Sequence, residues 1–362
     1  SCCSPTKAVD RTVTDSMDLA TAHGPPPLGG RIRVAAEDFV VEELLGFEPD
    51  GAGGHVLLSV EKRGANTGWV AAQLARTAGV QARDVGYSGQ KDRYALTRQS
   101  YSLPWPVAAP LDACRAFAGE GYRVLSAARH GRKLRPGSHR GNRFAIRVRD
   151  AEGDAGAIDA LLRVIAEEGV PNYFGPQRFG REAGNLTRAR AWAQDGDAPR
   201  DRIQRGFALS AARSEIFNRL VEERVRRGDW NRLLPGEAVL LDGRRSFFAA
   251  PDVDALLADR CSRMDVHPSG PMWGRGESPA TGAAREVEDA VLGREPGLAR
   301  LLESERLEHE RRSLRLPVRS LRWTHEVGGL LLEFELPRGT FATAVLHELL
   351  RDAWSQETGG AD

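Results

Sequence analysis

A single aspartate in a short, cation-rich loop is the residue of this chain best placed to do chemistry. The loop lies within residues 86–99, GYSGQKDRYALTRQ, where Asp92 is the only acid among Lys91, Arg93 and Arg98. Neighbouring cations favour the ionised form of a carboxyl group. An ionised carboxylate held on a loop can attack an electrophilic carbon without an activating base. For an isolated Lys-Asp pair, a solvated turn residue is the alternative interpretation.

Two predicted elements flank this loop and must position it. A helix is predicted over residues 67–78, and Gly79 is placed to end it. A strand is predicted over residues 99–103, with Tyr101 and Leu103 on one face. Asp92 is therefore expected on a loop that regular elements hold in place.

Strands and helices mix in the first part of the chain, and helices dominate its middle. Further strands are predicted over residues 39–45, 55–60, 121–127 and 142–148, and helices over 111–118 and 157–168. Helices are then predicted over residues 185–194, 209–227, 252–262, 282–292 and 298–310. Strands return at 318–323 and 330–336, before a final helix over about 340–354. A mixed body that is interrupted and then resumed predicts an insertion into one domain.

A local run of basic residues suggests a nucleic-acid surface. The net charge is only +1, but residues 129–149 contain eight Lys or Arg and no Asp or Glu. Within this run, Arg132, Lys133 and Arg135 are closely spaced. Neutralising phosphates supplies most of the sequence-independent affinity for nucleic acids. A flexible, solvated basic surface is the alternative interpretation.

Several other classes of protein are not indicated. The four cysteines are Cys2, Cys3, Cys114 and Cys261, and neither they nor the eight histidines have metal-ligand spacing. We therefore expect a reducing compartment, no metal and no disulfide framework. No apolar run approaches the ~20 residues of a membrane span, and no nucleotide-binding glycine motif is present. Residues 1–28 are predicted to be a disordered tail.

Five segments of the chain together resemble the TruD family of tRNA pseudouridine synthases. They are EDFVVE at 37–42, GYSGQKDRYALTRQ at 86–99, RKLRPGSHRGNRF at 132–144, PNYFGPQRFG at 171–180 and LPRGTFATAVLHELL at 336–350. They occur in the order of that family and span nearly the whole chain. The chain is therefore similar to this family along its length.

The resemblance implies an α+β fold with two lobes around a basic cleft. A pseudouridine synthase catalytic core, with a mixed and mainly antiparallel sheet, would comprise residues 29–167 and 319–362. A helix-rich α/β TRUD domain would be inserted at residues 168–318. Within the 171–180 motif, aromatic packing at a hinge is favoured over direct contact of Gln177 and Arg178 with RNA.

The resemblance also assigns roles to particular residues. Asp92 would be the nucleophile, and the substrate-binding residues would be Phe39, Asn142, Phe341 and Phe144. The RNA contacts would be Arg132, Lys133, Arg135 and Lys91. Phe39 at a strand start could instead be a core residue, and Asn142 after a glycine could be a turn residue. Arg33 stands where we expect a lysine in the family.

The implied function is isomerisation of uridine to pseudouridine in tRNA, at position 13, without cofactor or metal. We expect a monomeric protein of the cytoplasm with tRNA as its partner and no membrane association. One alternative is a catalytically inactive RNA-binding or RNA-chaperone protein that retains the fold. Another is a glycoside hydrolase, in which Glu37, Asp38 or Glu42 would supply the second carboxylate.

Overall fold

The computed structural model describes residues 19–358 of the 362-residue chain. Residues 1–18 of the predicted tail lie outside the described residues. The prediction differs from the structure for residues 19–28, because Leu19 and Leu28 are buried in the main core. The Leu28 amide donates to the Leu349 carbonyl (3.1 Å), and the Glu348 carboxylate accepts from the backbone amides of Ala22 and His23. This segment is therefore part of the folded body.

The described residues form seventeen strands, ten α-helices and short 3-10 turns. The strands are β1 (Gly29–Arg31), β2 (Phe39–Leu44), β3 (His55–Lys62), β4 (Gly86–Tyr87), β5 (Leu96–Pro104), β6 (Ala118–Gly119), β7 (Tyr122–His130), β8 (Gly141–Glu152), β9 (Val170–Pro171), β10 (Glu237–Leu241), β11 (Phe247–Ala250), β12 (Val266–His267), β13 (Ser269–Met272), β14 (Glu310–Ser313), β15 (Arg315–Leu316), β16 (Arg319–Glu326) and β17 (Gly329–Pro337). The helices are α1 (Thr67–Ala78), α2 (Asp112–Arg115), α3 (Ala155–Glu168), α4 (Gly184–Asp195), α5 (Arg202–Arg226), α6 (Ala255–Ser262), α7 (Gly282–Leu292), α8 (Pro296–Ser304), α9 (Ala342–Leu349) and α10 (Ala353–Thr358). The 3-10 turns are Ala36–Asp38, Ala82–Asp84, Pro176–Phe179 and Arg181–Ala183.

A ten-stranded sheet is the main platform of the fold. Its order is β16-β17-β8-β2-β5-β3-β7-β6, with β1 pairing with β8 and β4 with β5. The pairing of β2 with β5 is parallel, and every other pairing in this sheet is antiparallel. The predicted mixed and mainly antiparallel sheet is confirmed. Strand β17, from the C-terminal part of the chain, pairs with β8 over its whole length.

The middle of the chain leaves this sheet and returns through adjacent strands. Strand β9 pairs with β15, and between them lie helices α4 to α8, a three-stranded sheet and the β13–β14 pair. Five of these strands were not predicted, because each is only two to five residues long and carries no clear alternation. The division of the chain into a core and an insert at 168–318 stays a prediction.

Helix α1 covers one part of the sheet and is built as the sequence predicts. Val70 and Leu74 are fully buried on its inner side and belong to the same core cluster as Val56 and Leu58 of β3. The helix ends at Gly79, which has a left-handed conformation with φ of 69°. This packing fixes the start of α1 beside the loop that carries Asp92.

Three predicted helices differ from those observed. The predicted helix 298–310 ends at Ser304, because Arg306 is left-handed (φ 57°) and residues 310–313 form β14. The predicted final helix is divided into α9 and α10, since Leu350 forms a β-bridge with Leu28 and Asp352 is left-handed (φ 55°). The predicted helix 111–118 is reduced to the single turn of α2. Within residues 19–358, no helix is long and apolar enough to cross a membrane.

Candidate active site

The Asp92 carboxylate is held at both oxygens and is still partly exposed. It lies in the loop between β4 and β5, with Oδ2 3.0 Å from Arg33 Nη2. Its Oδ1 accepts a hydrogen bond from the Tyr94 backbone amide (2.9 Å). The side chain remains 23% exposed, so a substrate can reach it. An orientated and accessible carboxylate is what a nucleophilic role requires.

Arg33 acts as a clamp on this carboxylate. Its backbone is left-handed, with φ of 60°, and its side chain is only 15% exposed. The guanidinium carbon lies 4.4 Å from the centre of the Phe39 ring, so the cation is held between an aromatic face and Asp92. Its Nε is buried and has no hydrogen-bond partner among the described residues. A planar guanidinium suits this stacked position better than an ammonium.

A buried lysine holds the backbone of the loop. Lys62 is 1% exposed, and its Nζ donates to the carbonyls of Asp92 (2.8 Å) and Ala65 (2.9 Å), with Lys91 O at 3.5 Å. Burial lowers the pKa of the Lys62 ammonium to about 8, although the negative charge of Asp92 opposes that shift. Sequence reasoning missed this residue, which is the last residue of β3.

Lys91 anchors the loop to β2 and does not face solvent. Its Nζ lies 3.0 Å from Glu43 Oε2, and the two side chains are 4% and 0% exposed. The other carboxylate oxygen of Glu43 accepts from the Ser100 amide (3.2 Å). We predicted that Lys91 contacts RNA, but its ammonium is turned inward to a buried carboxylate. Its position is that of a loop anchor.

A set of buried polar side chains completes the support of the loop. Thr67 Oγ1 accepts from the Lys91 amide (3.0 Å) and donates to Gln99 Oε1 (3.0 Å). Gln99 Nε2 donates to the Gly89 carbonyl (2.8 Å), and the Tyr101 hydroxyl donates to Gln99 Oε1 (3.2 Å). The sequence contains a signal for this network, because Gln99 occupies an inward-facing position of β5 together with Tyr101.

Two of the three phenylalanines expected near the substrate are packed in the core. Phe39 is 3% exposed and Phe144 is 6% exposed, and their rings meet edge to face at 6.3 Å. The other neighbour of Phe144 is Phe334, which stacks on it at 5.4 Å. Phe144 is therefore buried between two rings and does not present its ring to a base in this structure, contrary to our expectation. Phe39 contacts the site through Arg33.

Asn142 presents an unpaired acceptor on the face of the sheet that carries the Asp92 loop. It lies on β8 directly opposite Glu43 of β2, so the two side chains share a face of the sheet. Its Oδ1 is buried and has no hydrogen-bond partner among the described residues. Buried polar atoms are normally paired, so a lone acceptor here suits a donor that arrives with a ligand.

His139 lies beside this face in its neutral form. It is 8% exposed, and its Nδ1 has no partner among residues 19–358. Burial, together with the charges of Lys91 and Arg338, lowers the pKa of His139 to about 4. The imidazole is therefore uncharged at neutral pH.

Phe341 lies at the start of α9, as its N-cap residue, and is 36% exposed. Its ring is 5.9 Å from that of Phe174, and the Arg178 guanidinium lies 5.7 Å from it. Phe39, by contrast, contacts Arg33, which binds Asp92. Asn142 lies opposite Glu43, which binds Lys91, the neighbour of Asp92 in sequence. No such connection to Asp92 is seen for Phe341 among the described residues. The approach of Phe341 to the Asp92 site stays a prediction.

Four of the eight basic residues of the run are paired with carboxylates of neighbouring elements. Arg143 pairs with Glu335 (2.8 Å) and Arg149 with Asp38 (2.8 Å), and Arg140 and Arg147 also have carboxylate partners. Burial alone would raise the pKa of Asp38, but hydrogen bonds from Arg149 and from a backbone amide keep it lowered. Such a carboxyl group does not suit the general acid of a glycosidase.

Of the other four basic side chains of the run, Arg129 is half-buried and donates to backbone carbonyls, and three face solvent. Arg132, Lys133 and Arg135 are exposed, and Lys133 donates to the Arg83 carbonyl. Arg132 and Arg135 have no partner among the described residues. Of the basic residues in 129–149, these three are therefore the ones that we still expect to bind RNA phosphates. Within residues 19–358, no group of His, Cys, Asp and Glu is arranged to hold a metal ion.

The chain matches known proteins along nearly its whole length. The family model described as tRNA pseudouridine synthase D (TruD) matches residues 19–189 and 199–349. A tRNA pseudouridine synthase D of Nitrosococcus oceani is 46% identical over 335 residues, which cover 92% of this chain and 94% of that protein. One from Pseudomonas aeruginosa is 45% identical over 342 residues, covering 94% and 96%. The chain belongs to the TruD family of tRNA pseudouridine synthases, which are isomerases.

A solved structure supports the same fold. A crystal structure from Methanosarcina mazei, described as a tRNA pseudouridine synthase D, superposes with a TM-score of 0.68. It covers 92% of this chain and 96% of its own, at 21% sequence identity. At this identity the likeness supports the α+β fold alone.

Proposed function

We propose that this protein isomerises uridine to pseudouridine at position 13 of tRNA, with Asp92 as the nucleophile and without a cofactor. The observation that carries the proposal is that the Asp92 carboxylate is held in place and is also accessible. Both of its oxygens are fixed, by Arg33 and by the Tyr94 amide, while the side chain stays 23% exposed. Membership of the TruD family supports the substrate and the reaction.

The reaction exchanges one bond of the nucleoside for another. The bond from uracil N1 to ribose C1′ breaks, the base turns, and C5 bonds to C1′ while the C5 proton is transferred to N1. Atoms and electrons balance within the substrate, so no oxidant or reductant is required. Asp92 would form a transient bond to an electrophilic carbon of the nucleoside, either C1′ or C6, and would leave again in the last step.

The target uridine must leave the RNA stack to reach Asp92. In our proposal, the unpaired Oδ1 of Asn142 accepts a hydrogen bond from N3–H of the uracil. Phe341 contacts the flipped base with its exposed ring. Phe39 does not contact the base in this proposal. Its ring packs against the Arg33 guanidinium, which in turn orients Asp92.

The exposed side chains of Arg132, Lys133 and Arg135 would bind the RNA backbone. The RNA would lie in a cleft between a catalytic core, residues 29–167 and 319–362, and the inserted TRUD domain. The pairing of β9 with β15 supports this division, because both ends of the insert meet in one place. We expect the protein to act as a monomer in the cytoplasm, where tRNA is found.

Mapping of pseudouridine in unmodified tRNA tests the proposal. The purified protein is incubated with a tRNA transcript, and pseudouridine is located chemically at each position. We expect a signal at position 13 with the wild type and none with Asp92→Asn. If the wild type binds tRNA but produces no pseudouridine, the chain is instead an RNA-binding protein that retains the fold.

A further inference from the structure

A cavity of about 370 Å³ opens beside Phe341 and is not part of the Asp92 loop. Its lining residues are Gly175, Gln177, Arg178, Asn185, Phe207, Ser210, Phe341 and Thr343. They come from the 3-10 turn Pro176–Phe179, from α4 and α5, and from the start of α9. The volume lies within the range of small-ligand sites, ~300–1,000 Å³. No residue of the segment 86–99, which carries Asp92, is among these lining residues.

Two arginines next to this cavity have no counter-ion within residues 19–358. The Arg178 guanidinium lies 4.8 Å from the centre of the Phe174 ring, and that of Arg312 lies 4.1 Å from it. Arg178 donates to Ser210 Oγ (3.0 Å), and Arg312 donates to Gly339 O and Asn172 Oδ1. Neither has a carboxylate within ion-pair distance among the described residues.

Burial of these two cations has an electrostatic cost. Burial lowers the pKa of Arg312 to about 9, with a further contribution from the charge of Arg178, and it also lowers the pKa of Arg178. Buried charges are normally paired, so two neighbouring guanidiniums without an acid favour an anion. Arg178 lines the cavity, and the exposed Arg188 lies at its rim, with Nη1 3.3 Å from Asn185 Oδ1.

Two aromatic side chains also line this cavity. Phe207 of α5 is 56% exposed and Phe341 is 36% exposed, and both rings line the cavity. The Thr343 hydroxyl is buried, has no partner among residues 19–358 and lines the cavity. Aromatic faces, an unpaired hydroxyl and side-chain amides are groups that bind a nucleobase.

We propose that this cavity binds a nucleotide of the substrate RNA next to the target uridine, with its phosphate on Arg178 and its base against Phe207 and Phe341. The inference rests on the assignment of the protein as an RNA-modifying enzyme. The cavity thereby selects the sequence or shape around the target. Phe341 is the residue that this subsite shares with the proposed uridine contacts, so it separates the two bases.

Two variants test the two halves of the nucleotide. Phe207→Ala removes an exposed ring and is expected to raise the Kd for unmodified tRNA about tenfold. Arg178→Gln is expected to reduce the log–log salt slope of binding by about 0.7 to 0.9, which Arg178→Lys should restore. The single-turnover rate at saturating RNA should stay within about twofold of the wild type in each case. Leu256→Ala, at an exposed apolar position of α6, is the matched control and should bind as the wild type.

RNAs with one abasic nucleotide identify the occupant. An abasic residue is placed in turn on the 5′ and on the 3′ side of the target uridine, and the Kd is measured with wild type and with Phe207→Ala. At the occupied position, the variant and the abasic substitution should not add, because both remove the same contact. Additive effects at both positions would overturn the proposal.

The outcomes separate this inference from the proposed function. Absence of pseudouridine with the wild type would refute the function itself. Pseudouridine formation by the wild type, with unchanged Kd and salt slope in Phe207→Ala and Arg178→Gln, would refute only the subsite. A Phe207→Ala variant that loses the single-turnover rate while keeping its Kd would assign the cavity to the target uridine, which also overturns the proposal.

Discussion

Replacement of Lys62 by methionine should impair catalysis much more than stability. The ammonium donates two short bonds to carbonyls, at 2.8 Å to Asp92 and 2.9 Å to Ala65. Hydrogen bonds to charged groups contribute ~1.5–3 kcal/mol each, so their loss costs roughly 3–6 kcal/mol. The fall of the Lys62 pKa from 10.5 to about 8 corresponds to roughly 3 kcal/mol against the buried charge, which Lys62→Met no longer bears. The free energy of unfolding should therefore fall by only about 0–3 kcal/mol.

Catalysis should be more sensitive, because the Asp92 carbonyl loses its anchor. A displacement of about 1 Å in a reacting group can reduce a rate by about 100-fold. We expect a loss of that order in the single-turnover rate at saturating tRNA, with a nearly unchanged Kd. Arg93→Met is the matched control, since it removes an exposed bond from the same loop to the Gly64 carbonyl (3.1 Å). A folded Lys62→Met protein with the wild-type rate would refute the role of the ammonium.

The pH dependence of stability gives a second check on Lys62. Its folded-state pKa is lowered, so between pH 8 and 10.5 the unfolded chain binds more protons at this site than the folded chain. The cost of the buried charge is therefore fully present below about pH 8 and disappears as the pH rises to 10.5. The stability of the wild type relative to Lys62→Met should increase across this window in chemical denaturation. A difference that does not vary with pH would show that the ammonium is not destabilised by burial.

Three further predictions concern the remaining site residues. Asp92→Asn should abolish isomerisation while keeping the fold and the Kd for tRNA, and substantial single-turnover activity in that variant would exclude Asp92 as the nucleophile. Replacing Arg132, Lys133 and Arg135 by alanine should flatten the log–log salt slope by about 0.7–0.9 for each phosphate that is no longer neutralised and weaken all RNAs similarly; an unchanged slope would mean a merely solvated surface. Asn142→Ala should lower the single-turnover rate without destabilising the protein, because its Oδ1 has no partner among the described residues, and melting curves with rate measurements check both points.

The sequence predicted those parts of the fold that follow a clear periodicity. Helix α1 has the predicted bounds, and strands β2, β8 and β17 lie within one or a few residues of theirs. The pairing of β2 with β5 in parallel, and of β8 with β17 across half the chain, depends on tertiary packing and has no local signal. The short strands of the middle region were missed for the same reason.

The sequence singled out the loop of Asp92, whose catalytic role stays a prediction, but it did not indicate the side chains that hold this loop in place. A single acidic residue among several cations drew attention to the Asp92 loop. The family resemblance then indicated the other residues expected at the site. The buried pair of Lys91 with Glu43 could not be foreseen, because a sequence does not tell a buried lysine from an exposed one. The same holds for Phe144, whose ring packs between two other phenylalanines.

The place of β17 in the sheet has a consequence for biosynthesis. Strand β8 leaves the ribosome long before β17, its partner on one side, and at ~5–20 residues per second it waits on the order of ten seconds or more. During this time its edge could pair with other nascent chains. Arg143 and Arg147 lie along β8 and would repel such pairing until their partners Glu335 and Glu326 are synthesised. The arginines that form salt bridges in the folded sheet would therefore also reduce aggregation of the growing chain, while their carboxylate partners have not yet been synthesised.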